Sequence, residues 1–90
     1  MNGPDAQVRA LDTLARHYVS DREILDDLTR LFKTSKSISV QRAIAGVLLR
    51  SDYNAFAKPD LVRVLREYRR KSPDGEDVID VLIRRLQAAA

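Results

Sequence analysis

Ninety residues, 44% of them hydrophobic and 32% charged, suffice for one modest core and are too apolar for intrinsic disorder. No run of about eighteen apolar residues occurs, so no helix spans a bilayer. The absence of cysteine excludes a disulfide scaffold, a thiolate metal site and a cysteine nucleophile. A formal charge of +3, with twelve arginines among sixteen basic residues, admits an anionic partner without requiring one.

Residues 1–4 lack the basic-then-apolar order of a secretion signal and read as a disordered lead-in to a single domain over residues 5–90. The compartment stays open: cytoplasmic by default, exported if the chain is a piece of a longer secreted protein. A first helix is expected from about Asp5 to Val19, because Val8, Leu11, Leu14, Ala15 and Tyr18 recur at helical spacing. Ser20 to Glu23 has the form of a capping box, in which the serine hydroxyl and the glutamate satisfy each other's backbone amides. Ile24, Leu25, Leu28, Leu31 and Phe32 then mark the buried face of a second helix, and the polar stretch from Thr34 to Ser37 ends it.

Ser37 or Ser39 can cap a third helix, which carries the most apolar stretch of the chain, Val40 to Leu49, and ends near Arg50 to Asp52. An all-round apolar helix among amphipathic neighbours belongs at the centre of the domain. Tyr53 and Phe56 lie in the longest connection, where they either plug the end of the core or meet a partner. Pro59 suits the first turn of a fourth helix, whose inward face is Leu61, Val62, Val64, Leu65 and Tyr68. Ser72-Pro73-Asp74-Gly75 is the strongest turn signal, with Ser72 or Asp74 as cap of a fifth helix striped by Val78, Ile79, Leu82, Ile83 and Leu86.

The chain also repeats itself. Arg9-Ala10-Leu11 falls on Arg42-Ala43-Ile44 and Leu14 on Val47 at one shift; Ile24, Leu25 and Leu28 match Leu61, Val62 and Leu65; Val40 and Ile44 recur as Val78 and Leu82. Five helices therefore make two and a half copies of one hairpin unit. In this pattern the chain resembles HEAT repeats, especially the bacterial HEAT-like kind. Val8-Arg9 looks like the Val-Arg that opens an inner helix, Val40-Gln41-Arg42-Ala43 is a looser version, and Leu31-Phe32 followed by Thr34 to Ser39 has the layout of the intervening turn. It departs from the family in carrying Thr34 where the turn aspartate is usual, and Val78-Ile79-Asp80 lacks the arginine. The resemblance implies an all-α fold of five antiparallel helices as a short α-solenoid. The first, third and fifth helices would line a concave face, with Arg9, Asp12, Arg16, Gln41, Asp80 and Arg84 at its exposed edge.

Little in the sequence points to chemistry. His17 is the sole histidine, so a multi-histidine metal site is impossible, and it reads as a surface residue beside Arg16. Asp26 and Asp27 are neighbours in sequence and diverge on a helix, so they do not form an acid–base pair. Asp77 and Asp80 share a face, which suits a cation or, more plainly, compensation of the positive helix start. Arg63, Arg66 and Arg70 share a face of the fourth helix. They read either as a phosphate-tracking stripe or as a solvated face in which Glu67 pairs with Arg63 and Lys71. No catalytic, cofactor or metal residue is assigned. The expected role is a non-catalytic protein-binding or scaffolding module, a segment of a larger protein, with the oligomeric state left open and monomer as the default. Nucleic-acid binding through Arg63, Arg66 and Arg70 is the alternative. Mixed charges of both signs on the inner edge favour a protein partner over a polyanion.

Overall fold

The computed structural model describes residues 3–52, 58–70 and 77–88. Among these it contains five α-helices: α1 Pro4–Leu14, α2 Arg22–Thr34, α3 Ile38–Leu49, α4 Lys58–Tyr68 and α5 Val78–Ala88. No helix is long and apolar enough to cross a membrane. Val40, Ile44, Ala45, Val47 and Leu48 are completely buried. Helix α3 packs on α1, α2 and α5, while α4 packs on α2 and α5, so the greasiest helix is central as its composition dictates.

Helix α1 stops at Leu14, five residues short of the expected end. The Arg16 and His17 amides donate to the carbonyls of Thr13 and Leu14 at 3.2 and 3.0 Å, which tightens the last turn and throws the chain out of the helix. The extended segment that follows buries Val19, whose carbonyl accepts the Asp52 amide at 3.0 Å. Tyr18 is thereby turned outward, 69% exposed. The expected place for it in the core is corrected, because Val19 fills the core position that a longer helix would have given to the tyrosine.

Helix α2 starts one residue later than a cap at Ser20 would give. Asp21 is the cap, accepting the Glu23 amide at 2.9 Å, and its carboxylate suits the positive helix end better than a hydroxyl does. Leu25, Leu28 and Phe32 are buried, but Ile24 is largely exposed. Ser37 caps α3 by accepting the Val40 amide at 3.3 Å. Pro59 lies in the first turn of α4. Leu61, Val64 and Leu65 are buried, whereas Tyr68, expected inside, is 45% exposed with its ring under the Lys33 ammonium. At this helix end it is the Tyr68 carbonyl, not the ring, that turns inward. Tyr53 and Phe56, and the Ser72 and Asp74 expected to cap α5, lie outside the described residues.

Gly46 sits in the middle of α3, and a Cβ placed there would meet nothing within 4 Å. Glycine costs a helix interior about 1 kcal/mol relative to alanine. Gly46→Ala should raise the unfolding free energy by about that much in a urea titration, while Ile44→Ala should lower it by about 2–5 kcal/mol through loss of buried volume.

Candidate functional site

The buried face of α3 carries one polar side chain. Gln41 lies three, four and seven residues from Ile44, Ala45 and Leu48, and like them it is completely buried. Its Nε2 donates to the carbonyl of Phe32 at 3.0 Å and to that of Tyr68 at 2.9 Å, and its Oε1 accepts the backbone amide of Arg70 at 2.8 Å. The opposite amide orientation would set oxygen against two carbonyls, so the network fixes it. One side chain thus closes the C-terminal ends of both α2 and α4 against the start of α3. Its expected place on an exposed edge is corrected: the same helical phase that makes Val40, Ile44 and Leu48 core makes Gln41 core.

A second polar cluster lies at the start of α5. Asp77 Oδ1 accepts the Ile79 amide and Asp80 Oδ2 accepts the Asp77 amide, each at 2.9 Å, a reciprocal capping box with aspartate in place of glutamate. Arg69, just past α4, grips Asp80 at 2.5 and 3.2 Å and Asp77 at 3.4 Å; Arg42 of α3 reaches Asp77 at 3.4 Å. The Arg69 guanidinium, followed by the hydrogen bond from the Asp77 amide, holds the Asp80 carboxyl well below its ordinary value, at about 2. The same hydrogen bond to Asp80 raises Arg69. Asp77 and Asp80 therefore converge, as their spacing suggests, on the guanidinium groups of Arg42 and Arg69. Among the described residues no group of three or more candidate ligands comes together.

Arg9, Asp12 and Arg16 are exposed on and just beyond α1, and Arg84 on α5; Asp80, engaged with Arg69, is only partly accessible. His17 is exposed. Asp26 and Asp27 are exposed and do not act together, since Asp27 pairs with Arg30. Arg63, Arg66 and Arg70 are all exposed. Arg63 pairs with Asp60 at 3.5 Å rather than with Glu67, and the Arg70 Nε donates to the Ser35 carbonyl at 3.2 Å. Lys71 lies outside the described residues. No buried side-chain nitrogen or oxygen among the described residues lacks a hydrogen-bond partner.

Comparison with family models, with curated proteins and with solved structures finds no match to this chain. The resemblance to HEAT repeats rests on the chain's own residues.

Replacing Gln41 with leucine strands two carbonyls and an amide in the core, at a cost of about 2–4 kcal/mol. Chemical denaturation should show that loss. The Asp80 contribution has a defined pH window. Its carboxyl is depressed from 3.8 to about 2 in the folded protein, so the stability it adds is present above 3.8 and disappears as the pH falls through 2. Thermal midpoints between pH 5 and 2 should fall less steeply in Asp80→Asn than in the parent.

Proposed function

We propose that the chain is a non-catalytic, HEAT-like helical module that binds a protein partner on the face formed by α1, α3 and α5. The observation that supports this reading is the character of that face. Helix α3 lies between α1 and α5, and its outward positions Ala43, Gly46 and Leu49 are only half-buried. Small and apolar residues at its centre, with Arg9, Asp12, Arg16 and Arg84 around it, give the apolar middle and charged rim of a protein interface. The displaced pKa values of Arg69 and Asp80 arise from their ion pair, and that pair locks helix ends.

The test uses two variants that keep the fold. Gly46→Arg fills the open space over α3, and Arg9→Glu with Arg84→Glu reverses the rim. Both should abolish affinity capture of a discrete partner from source extract, with circular dichroism unchanged. A partner retained by both would refute the reading.

A further inference from the structure

Helices α2 and α4 run parallel and side by side, as the match of Ile24, Leu25 and Leu28 to Leu61, Val62 and Leu65 implies. Lys33 sits over the Tyr68 ring at 5.7 Å, Arg70 reaches the Ser35 carbonyl, and Asp26, Thr29 and Lys33 line one groove of about 270 Å³ with Asp60, Arg63 and Val64. Glu23 and Asp60 lie in the first turns of the two helices and Lys33 and Arg66 in their last turns, as the macrodipole favours, with Glu67 beside Arg66 as the exception. This pairing then brings the bases of the last turns together. Asp26 and Asp60 share one groove with Lys33 and Arg63, and past it Lys33, Lys36, Arg66 and Arg70 gather at the C-terminal ends of the two helices, with Glu67 among them. All of these residues are exposed. The Asp27–Arg30 and Asp60–Arg63 pairs are solvent-exposed i,i+3 contacts, worth little and readily exchanged. Among the described residues Lys33, Lys36 and Arg66 have no carboxylate within ion-pair distance.

We propose that this basic end of the α2–α4 face docks the phosphate backbone of duplex nucleic acid. The surface is separate from the α1, α3 and α5 face and stands whether or not that face binds a protein. Adjacent rows of exposed cations repel one another in the free protein and lose that repulsion on meeting regularly spaced phosphates, with release of condensed counterions. A protein interface of this kind would need a buried apolar or aromatic anchor. The large apolar group here, Tyr68, lies beneath Lys33. The same occupancy denies a single strand the aromatic platform on which its bases would stack, so a duplex, already stacked, is the better fit. Asp26, Asp27 and Asp60 set the limit of the contact along the groove, and Glu67 is the carboxylate that the phosphates must pass.

The experiment is fluorescence anisotropy with a labelled mixed-sequence DNA duplex of ~20 base pairs and its RNA counterpart, between about 25 and 200 mM salt. Contacts from Lys33, Lys36, Arg66 and Arg70 correspond to a slope of log affinity against log salt of about −4. The Lys33→Gln, Lys36→Gln, Arg66→Gln variant should bring the slope to about −1 and weaken binding at low salt at least about tenfold. Arg9→Gln with Arg16→Gln should change neither. The Lys36→Gln, Arg66→Gln double variant, which keeps the Lys33–Tyr68 contact, should fall between. No duplex binding at the lowest salt overturns the proposal, as does a slope that the triple variant leaves unchanged. Binding to phosphatidylserine vesicles or polyglutamate without binding to either duplex also overturns it.

Discussion

The described structure depends on a single amide. Every α-helix leaves its last carbonyls without an intrahelical donor, and two helices of this chain end against the same spot on a third. Gln41 supplies one donor to each of those ends and takes back an amide in return. No hydroxyl or carboxylate could do this, because the task needs two N–H groups and one acceptor in one neutral, planar unit. An apolar residue would pack there and leave the helix ends unsatisfied. Burial of a polar side chain in the most apolar segment is therefore what allows that segment to be a core.

The ionic cluster does for α5 what Gln41 does for α2 and α4. Asp77 and Asp80 satisfy the exposed amides at the start of the helix, and Arg69 and Arg42 neutralise the charge this gathers. Arg69 comes from the end of α4 and Arg42 from α3, so the cap of one helix is also a joint among three. The N-terminal ends of α3 and α5 and the C-terminal ends of α2 and α4 share this side of the molecule, and partial charges of opposite sign meet there.

Much of the fold was legible because helical periodicity is a local property. Leu25, Leu28 and Phe32, then Val40, Ile44, Val47 and Leu48, then Ile79, Leu82, Ile83 and Leu86 are core on reading and core in the structure. Misreadings arose where a tertiary contact overrode a local rule. Val19 displaced Tyr18, and Asp21 proved the cap rather than Ser20, a choice between two residues that both suit the position. Gln41 was misplaced even though its phase with Ile44 and Leu48 pointed inward, because its polarity was weighed above its register. The partners of Arg42, Arg69 and Arg70 lie 8 to 35 residues away, and no spacing rule reaches that far in an irregular repeat. The parallel pairing of α2 and α4 follows from the repeat, but the meeting of Lys33 with Tyr68 and of Arg70 with Ser35 belongs to the same class.

The bond between the Asp52 amide and the Val19 carbonyl, with the Arg50 guanidinium on the Ala15 carbonyl, fastens the tail of α1, while Val8, Leu11 and Leu14 lay the helix along α3. Its head has a glycine cap with no side-chain hydrogen bond, and Leu11 is the one residue of the helix that is buried. The other four helices are riveted together at the opposite end by Gln41 and the aspartate–arginine cluster. Polar ties thus hold α1 at one end only, and along the rest of its length apolar packing on α3 is what keeps it in place. A change that weakened this packing would loosen the first helix from its free head toward its tied tail and uncover the side of α3 beneath it.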